Sequence, residues 1–462
     1  MKTSGRRDVP NKVFLSEKEL PKTWYNMAAD LPGIIPPMLN PQTQEILKPA
    51  DLAAIFPEPL IEQELSKQAY IDIPDDVSKL YATYRPSPLM RAYRLEEALG
   101  TPARIYYKYE GGNTSGSHKL NSALPQAYYN KSVGIKRLAT ETGAGQWGTA
   151  LSMACSLFGM ECTVYMVKVS IQQKPYRKMI METYGASVTP SPSNTTEAGR
   201  AQLAINPDSL GSLGIAISEA VEDAATHADT NYALGSVLNH VLLHQSIIGQ
   251  EAQAQMALID EYPDIVIGCV GGGSNFGGIA GPFVRDMVHN GKTPRLIGVE
   301  PSACPTLTRG KFAYDYGDMT GLTPLMAQYT LGHNFMPPGI HSGGLRYHGA
   351  SVVISHMMRM GMMEARAVTQ TDVFDAGVLF ARTEGLLPAP ESTHAIRIAI
   401  DEALRCKETG EEKAILFCLS GNGYYDLTAY DKYNNGNVID VVHSDEVLSQ
   451  GFADLPKVDR AL

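Results

Sequence analysis

Short apolar segments alternate along this chain with longer segments in which apolar residues recur at helical spacing. The short segments are almost continuously hydrophobic, as strands buried on both faces are. This alternation predicts an α/β fold with parallel sheets flanked by helices, in which ligands lie beyond the carboxyl ends of the strands. The pattern predicts strands over 103–109, 137–141, 162–169, 186–189, 264–270, 296–299 and 414–419. It predicts helices over 120–129, 148–158, 175–184, 279–288, 372–384 and 392–404.

Residues 1 to about 80 follow a different pattern, because prolines and turn residues interrupt them throughout. Prolines are densest over 30–41, and a stretch so rich in proline is not expected to form a regular helix or a central strand. Disorder is one alternative, but Trp24, Tyr25 and the Ile and Leu content favour an extended arm that packs on the body or on a second subunit. With 462 residues, 44% of them hydrophobic and 19% charged, the chain is long enough for two domains.

Charge and cysteine content narrow the class of protein. The formal net charge of -10 argues against nucleic acid or an anionic membrane as a partner. No apolar run is long enough to span a bilayer, and residues 1–10 are charged and lack the apolar core of a signal peptide. The six cysteines show no C-x-x-C spacing, which favours a reducing cytoplasm. We therefore expect a cytoplasmic protein with no metal site formed by side chains.

One lysine stands in an unusual place. The stretch 109–121 runs from a predicted strand through small residues to His118 and Lys119, where a helix begins. The positive end of the helix dipole eases the loss of a proton from an ammonium group, which predicts an imine-forming nucleophile at Lys119. For a single lysine, the ordinary alternative is a solvated side chain beside a glycine turn. Two further stretches favour the chemical interpretation.

The segment T-E-T-G-A-G-Q-W-G over 140–148 also follows a predicted strand and opens a helix. Its backbone N–H groups, with the side chains of Thr142 and Gln146, predict a nest for a carboxylate or phosphate. An ordinary strand-to-helix turn is the alternative. An acidic residue beside an anion nest is electrostatically disfavoured, so Glu141 indicates a role in general acid/base chemistry. The alternative is that its side chain points outward and forms a salt bridge.

A third stretch, C-V-G-G-G-S-N-F-G-G over 269–278, has the same strand-glycine-helix order. It predicts a phosphate cradle made of backbone N–H groups and the side chains of Ser274 and Asn275. The run lacks the lysine ending of a P-loop and the G-x-G-x-x-G spacing of a dinucleotide site. Taken alone, however, such a loop is also compatible with a nucleotide.

An imine-forming lysine, a carboxylate nest and a phosphate cradle together fit pyridoxal phosphate with an amino-acid substrate. Ser420 ends the last predicted strand, just before glycines. Its neutral hydroxyl would bond the pyridine nitrogen without protonating it, which favours β-elimination and β-replacement over transamination. A plain Ser-Gly turn is the alternative for this residue.

Four motifs resemble those of the tryptophan synthase β-subunit family, whose members are pyridoxal phosphate enzymes of fold type II. They are G-S-H-K-L-N over 116–121, E-T-G-A-G-Q over 141–146, G-G-G-S-N over 271–275 and E-G-L-L-P-A-P-E-S-T-H-A over 384–395. The likeness covers roughly residues 80–440.

The resemblance implies two domains with parallel-rich twisted sheets flanked by helices, and a cofactor in the cleft between them. The N-terminal domain would comprise 1–84 and 118–242, with the proline-rich arm and a mobile, substrate-closing subdomain at about 134–222. The C-terminal domain, which would bind the cofactor phosphate, would comprise 85–117 and 243–462.

The resemblance also implies roles for single residues. Lys119 would form the imine and move the Cα proton, and Glu141 would stabilise charge on the indole nitrogen, so both are expected to be catalytic. The expected cofactor-binding residues are His118, Lys119, Asn121, Gly271, Gly272, Gly273, Ser274, Asn275, Glu384 and Ser420. The expected substrate-binding residues are Thr142, Gly143, Ala144, Gly145, Gln146, Trp147 and Arg346.

Three features depart from the usual family pattern. Trp147 stands where His is usual, and Arg346 lies near the place of an Asp that bonds the substrate hydroxyl. The long proline-rich arm is an addition. These features resemble a divergent second group of β chains thought to work without a tight α-chain partner. The resemblance further implies a homodimer and a monovalent cation, K⁺ or Na⁺, held by backbone carbonyls.

The predicted function is pyridoxal-phosphate-dependent β-replacement, which condenses L-serine with indole to give L-tryptophan and water. Alternatives within this chemistry are O-phospho-L-serine as donor, another nucleophile as in cysteine synthesis, and serine dehydration. Glu141 favours indole, because sulfide needs no such acid. Alternatives from other classes are a nucleotide-binding oxidoreductase, with Glu300 at the ribose, and a non-catalytic binding subunit.

Overall fold

The structure is a computed structural model that describes residues 9–460. The strands found in this range are β1 (Lys12–Val13), β2 (Thr23–Tyr25), β3 (Tyr70–Asp72), β4 (Leu89–Arg91), β5 (Arg104–Tyr109), β6 (Arg137–Thr142), β7 (Glu161–Val167), β8 (Ser187–Ser191), β9 (Thr230–Tyr232), β10 (Ile265–Cys269), β11 (Arg295–Pro301), β12 (Lys311–Tyr316), β13 (Leu325–Thr330), β14 (Glu364–Val368) and β15 (Ala414–Leu419).

The helices are α1 (Pro49–Leu52), α2 (Glu58–Leu65), α3 (Asp75–Tyr81), α4 (Tyr93–Leu99), α5 (Leu120–Ser132), α6 (Gln146–Phe158), α7 (Lys168–Gln173), α8 (Pro175–Thr183), α9 (Glu197–Ile205), α10 (Leu213–Thr226), α11 (Asn239–Gln245), α12 (Ile247–Leu258), α13 (Ser274–His289), α14 (Thr306–Arg309), α15 (Val352–Arg359), α16 (Gln370–Glu384), α17 (Ser392–Thr409), α18 (Leu427–Asn434) and α19 (Asp445–Ala453). Short 3-10 helices lie at Glu17–Glu19, Met27–Ala29, Glu110–Gly112 and Gly343–Leu345.

Two sheets carry the fold. The larger has the strand order β1-β4-β5-β15-β10-β11-β14, antiparallel at the β1-β4-β5 edge and parallel from β5 onward. The smaller has the order β8-β7-β6-β9 and is parallel throughout. Two further antiparallel pairs, β2-β3 and β12-β13, stand apart from them. The prediction of parallel α/β units is confirmed.

The continuous apolar runs are explained by burial of the large sheet on both faces. Val266 and Leu416 belong to one core cluster, together with Phe276 of α13. Their chain neighbours Ile265 and Ile415 belong to a second cluster on the opposite face. Because side chains alternate between faces, a strand covered on both sides is apolar at every position.

The predicted strands and helices are present, and the largest differences lie at helix ends. α13 begins at Ser274 rather than at 279, and α17 ends at Thr409 rather than at 404. Apart from Phe276, the first turn of α13 contains small and polar residues, so it carries no apolar repeat from which its start could be predicted.

The proline-rich arm packs on the rest of the chain. Trp24 is 0% exposed, and its ring N–H donates to the hydroxyl of Tyr81 at 3.3 Å. Leu39 exchanges backbone hydrogen bonds of 2.9 Å with Leu325. The expectation of a packed arm is therefore confirmed, and residues 1–8 lie outside the described range.

The two-domain division remains a prediction. Strand membership follows its boundaries except at β1, which lies within 1–84 but joins the larger sheet beside β4. All six cysteines are buried and free. Within residues 9–460, no helix combines the length and the apolar character needed to cross a membrane.

Candidate active site

Three neighbouring parallel strands bring the candidate residues together. β5, β15 and β10 lie side by side, and beyond their carboxyl ends come Lys119, Ser420 and the glycines at 271–273. The smaller sheet adds a fourth loop, 143–145, which follows β6. The three loops of the larger sheet line one cavity, to which Gln146, directly after the fourth loop, also contributes. The predicted residues that line it are His118, Lys119, Gln146, Gly271, Gly272, Gly273, Ser274, Asn275 and Ser420.

Lys119 occupies the N-cap position of α5, as the sequence predicts. Its Nζ lies 3.5 Å from the carbonyl oxygen of Gly235, a long contact for a charged donor. Burial lowers the pKa of Lys119, although the charge of Glu391 opposes this shift. A lysine amine that loses its proton easily, and that has only a weak partner, suits nucleophilic attack on a carbonyl.

His118 is held as a neutral imidazole. Its Nδ1 lies 3.3 Å from the Ser420 carbonyl, which can only accept, so Nδ1 carries the proton. Nε2 then accepts from the hydroxyl of Ser274, at 3.2 Å. Burial and the neighbouring Lys119 lower the pKa of His118 to about 3. The histidine thus connects the loop after β5 with the start of α13.

The glycines at 271–273 form a cradle that side chains would fill. A Cβ on Gly272 would lie 2.6 Å from Ser236 Oγ, and a Cβ on Gly271 would lie 2.8 Å from the Gly344 carbonyl oxygen. Gly273 caps α13 with φ +115°, a conformation that favours glycine. The backbone N–H groups at the start of a long helix therefore remain accessible for an anion.

The Ser420 side chain, which lines the cavity, contacts a second serine. Its hydroxyl lies 2.7 Å from that of Ser392, and Cys269 Sγ is 3.7 Å away. Burial raises the pKa of the Cys269 thiol to about 12, so this side of the cavity carries neutral groups. A pyridine nitrogen placed here would meet hydroxyl groups rather than a carboxylate.

The loop after β6 is fixed by its own side chains and by Glu391. Thr142 Oγ1 accepts from the N–H groups of Gly145 and Gly148, both at 3.2 Å. Gln146 Nε2 donates to Glu391 at 2.8 Å, and the other oxygen of Glu391 accepts from Gly344 N at 2.8 Å. The loop therefore packs against the 3-10 helix at Gly343–Leu345, and the N-terminus of α6 that follows the loop is formed.

Glu391 is a site residue that the sequence analysis missed. Burial opposes ionisation, but the Lys174 ammonium and the Gly344 N–H lower the pKa of Glu391 to about 2. Its position, seven residues after Glu384 in the motif over 384–395, was available in the sequence. Only the structure shows which of the two acids faces the cavity.

Glu141 borders a second cavity, whose lining is mainly apolar. Its Oε2 accepts a 2.6 Å hydrogen bond from the hydroxyl of Tyr232, and burial raises the pKa of Glu141 to about 7. Ser236 lines both this cavity and the one that holds Lys119. The two cavities therefore share a wall, with Glu141 at the apolar side.

Gly143 and Arg346 line a third, small cavity beside the first. Arg346 Nη2 donates to Ser170 Oγ at 2.5 Å, while its Nε has no partner among the described residues. Burial lowers the pKa of Arg346 to about 10. Ala144 packs against Gly343 within the same contact between loops.

Comparison with known proteins agrees with this geometry. The family model described as "Pyridoxal-phosphate dependent enzyme" matches residues 80–421. Tryptophan synthase beta chain 2 of Methanosarcina acetivorans is 58% identical over 428 residues, which cover 93% of this chain and 97% of that protein. Tryptophan synthase beta chain of Pyrococcus horikoshii is 52% identical over 453 residues, 98% of each chain. The chain belongs to the tryptophan synthase β-chain family of pyridoxal-phosphate-dependent enzymes.

Solved structures support the same fold at low identity. The fungal L-serine ammonia-lyase from Rhizomucor miehei superposes with a TM-score of 0.57 at 17% identity, over 77% of this chain and 99% of that one. A threonine deaminase from T.th. gives a TM-score of 0.51 at 18% identity, over 75% of this chain and 96% of that one. These two comparisons establish the fold-type-II architecture alone.

The residues present fit the family's cofactor, pyridoxal phosphate. The cradle at 271–273 offers helix N–H groups for a phosphate, and Lys119 offers an amine whose pKa is lowered by burial. Ser420 offers a hydroxyl for a pyridine nitrogen, and no acid within residues 9–460 lies in bonding distance of it. The phosphate, the aldehyde and the pyridine nitrogen of the cofactor thus each have a chemically matched partner in one cavity.

Two residues predicted to bind the cofactor do not reach the cavity, and these predictions need correction. The Asn121 amide donates to Glu110 and Gln245 and accepts from Arg85, within a buried polar cluster. Because Asn121 lies two helix positions after Lys119, its side chain is rotated about 200° around the helix axis from that of the lysine. Glu384, at the end of α16, accepts from Leu95 N at 2.8 Å.

Trp147 differs from its predicted place in the substrate nest. Its ring N–H donates to Thr140 Oγ1 at 2.7 Å, and the ring packs under Gly235, whose added Cβ would lie 2.7 Å from it. Trp147 thus supports the backbone next to Lys119 rather than lining the cavity. Asn275 lines the cavity, but its amide bonds Cys269 N and Cys418 Sγ.

Glu300, the residue that the oxidoreductase alternative requires at the ribose, is already hydrogen-bonded within the protein. Both oxygens of Glu300 are taken by N–H groups at the start of α14, at 2.8 Å from Leu307 and Thr308. Burial raises the pKa of Glu300 to about 7. This acid serves as a helix cap.

Proposed function

We propose that the chain condenses L-serine with indole to give L-tryptophan and water, with pyridoxal phosphate as cofactor. The observation that carries this proposal is the pairing of two cavities. One holds Lys119 and the glycine cradle, and the apolar one beside it is bordered by Glu141. A polar site for an amino acid next to an apolar site with one buried acid fits a flat aromatic acceptor that bears an N–H.

Pyridoxal phosphate, when bound, supplies an electron sink that weakens the Cα–H and Cβ–O bonds of an amino acid. The chain then has three tasks. Backbone N–H groups at 271–274 bind the phosphate, with His118 fixing the Ser274 hydroxyl. The N–H groups at 143–146 bind the substrate carboxylate, which fixes its orientation before reaction. The neutral Lys119 amine takes the Cα proton and later returns it.

Glu141 acts on the acceptor. Indole carbon attack on the substrate's β-carbon develops positive charge on the ring nitrogen, and a carboxylate beside that nitrogen stabilises it. With a pKa of about 7, Glu141 is able both to hold and to release a proton near neutral pH. Sulfide has no such nitrogen, so this acid favours condensation with indole over cysteine synthesis.

A second donor, O-phospho-L-serine, is favoured by one observation. Arg346 is 5% exposed and has no carboxylate in bonding distance within residues 9–460, although it lies beside the proposed carboxylate loop. A guanidinium so placed suits a phosphate leaving group. L-Serine remains the proposed donor because the adjoining cavity is only about 10 Å³, which is too small for a phosphate group.

Assembly and location are proposals that rest on the family relationship. We infer a homodimer in the cytoplasm, with a weak or absent α chain and a K⁺ or Na⁺ ion held by backbone carbonyls. The arm supports weak α-chain binding, because Met38, Leu52 and Ile55 form part of the wall of the apolar cavity. The chain thus covers its own acceptor site.

The test uses the protein loaded with pyridoxal phosphate. L-Serine should change the visible spectrum, and indole should reverse that change with one L-tryptophan formed per turnover. The Lys119→Met variant should lack the visible imine band. Formation of pyruvate and ammonia without tryptophan would instead identify a serine dehydratase, and a response to O-phospho-L-serine alone would identify the other donor.

A further inference from the structure

Tyr232 is the one side chain within residues 9–460 that hydrogen-bonds the carboxyl group of Glu141. The register of the small sheet explains this contact. β6 and β9 are parallel with Ala139 beside Tyr232, and Glu141 lies two residues further along on the same face. A tyrosine ring is long enough to reach such a diagonal neighbour. Both side chains border the apolar cavity.

The direction of the hydrogen bond follows from the chemistry. Burial, and then the charge of Glu141, raise the pKa of Tyr232 well above its usual value, so the phenol keeps its proton and donates it. The carboxylate oxygen Oε2 accepts at 2.6 Å, which is short for an O–H···O bond and typical of a charged acceptor. One of the two carboxylate oxygens is therefore committed, and the other remains for a ligand.

The other charged and polar side chains near Glu141 and Tyr232 make no hydrogen bond to the Glu141 carboxyl group within residues 9–460. Lys119 favours the ionised carboxylate through its charge but makes no hydrogen bond to it. Tyr347 faces the same cavity, and its hydroxyl donates to the Gly317 carbonyl at 2.7 Å. Asp318 acts on Tyr232 through charge alone.

We propose that Tyr232 is a positioning residue, whose hydroxyl fixes one oxygen of the ionised Glu141 and so presents the other to the N–H of the acceptor. This inference rests on the proposed function and assigns to the site a residue that does not itself react. Burial raises the pKa of Glu141 and the Tyr232 bond opposes that shift. Loss of the hydroxyl therefore makes the carboxylate harder to ionise.

The sign of the pH effect follows directly. If the ionised carboxylate is the active form, the rate of acceptor addition falls as the pH decreases through the pKa of Glu141. In Tyr232→Phe this acidic limb should move to higher pH by about one unit, since a hydrogen bond to a charged group has about that effect. The rate should be about tenfold lower below the limb and should recover at higher pH.

The experiment separates the two half-reactions in the cofactor-loaded protein. L-Serine is added first and its spectral change is titrated. Indole is then mixed in rapidly, and the decay of that change is followed from about pH 5.5 to about pH 9. Tyr232→Phe should keep the L-serine titration and shift the acidic limb of the decay. Tyr347→Phe removes a hydroxyl from the same cavity but should keep the wild-type limb.

Glu141→Gln provides a second arm that does not depend on a pH profile. Adding Tyr232→Phe to Glu141→Gln should cause less than a twofold further loss, because the group to be positioned has already lost its charge. An unshifted limb in Tyr232→Phe, or a full additional loss in the double variant, would overturn the inference. Failure of the wild-type protein to make tryptophan would instead reject the proposed function on which it rests.

Discussion

Two loops of nearly equal design perform different tasks in this molecule. Each follows a parallel strand, spans three small residues and ends at a glycine with positive φ that caps a helix, at 143–145 before α6 and at 271–273 before α13. Two residues before the first loop stands Glu141, and two residues before the second stands Cys269. Both are buried, yet one is an acid with a pKa of about 7 and the other a neutral thiol.

The difference lies in what surrounds each helix N-terminus rather than in the loop itself. The loop at 271–273 meets His118 and Ser274, which are neutral donors and acceptors suited to a permanently bound phosphate. The loop at 143–145 meets Gln146 and the ionised Glu391, and it lies on the smaller sheet. A backbone anion nest is thus a general device, and the side chains beside it decide which anion it holds.

The largest expected effect comes from replacing Glu141, the acid that stands before the loop at 143–145 and has no counterpart before the loop at 271–273. Glu141→Gln should leave the spectral response to L-serine intact and slow acceptor addition by about 100- to 10 000-fold, the range for loss of a positioned acid or base. Rapid mixing with indole measures the second step. Glu384→Gln is the matched control, because Glu384 bonds Leu95 N outside the cavity. Equal losses in both variants would contradict the assignment.

A smaller effect should distinguish the cradles themselves. Gly272→Ala brings a Cβ to 2.6 Å from Ser236 Oγ, and Gly143→Ala brings one to 2.8 Å from the Gly343 carbonyl oxygen. The first should weaken pyridoxal phosphate binding by about 10- to 100-fold, as overpacking does. The second should keep cofactor affinity and raise the KM for L-serine by a similar factor. Equilibrium dialysis and steady-state kinetics measure the two quantities, and the opposite pattern would exchange the roles of the loops.

The smallest effect concerns the cap of α6. Thr142 corresponds in position to Val270 of the other loop, but its hydroxyl accepts from Gly145 N and Gly148 N. Thr142→Val should lower the free energy of unfolding by about 1 kcal/mol, as loss of a side-chain cap does. Denaturant unfolding measures this change, with Val270→Thr as the reciprocal variant. If Thr142→Val were as stable as wild type, the hydrogen bonds of the Thr142 hydroxyl would not be needed to stabilise the start of α6.

Local sequence pattern predicts those parts of the site that depend on chain neighbours. The cradle at 271–273 and Ser420 follow their strands within two residues, and Lys119 stands at the start of the helix that follows β5. Three parallel neighbours in one sheet bring these segments together. Asn121 was also predictable, since two helical residues turn a side chain away from Lys119. A simple count of helix positions would have removed it from the expected cofactor ligands.

Other parts depend on contacts between distant segments. Tyr232 meets Glu141 only because β6 and β9 pair in one register, and a shift by one residue would turn the tyrosine to the opposite face. The choice between Glu384 and Glu391 depends on where α16 ends and α17 begins. Trp147 turns into the core because Thr140 offers it an acceptor. None of these contacts leaves a signal in the local pattern.

The division of labour between the two loops is tested most directly by a crystal structure of the cofactor-loaded protein soaked with L-serine. The account predicts the phosphate within hydrogen-bond distance of the backbone N–H groups at 271–274. It predicts the substrate carboxylate at the N–H groups of 143–146, with the substrate's β-carbon directed toward the cavity that Glu141 borders. A phosphate at 143–146, or a carboxylate bound away from both loops, would contradict it.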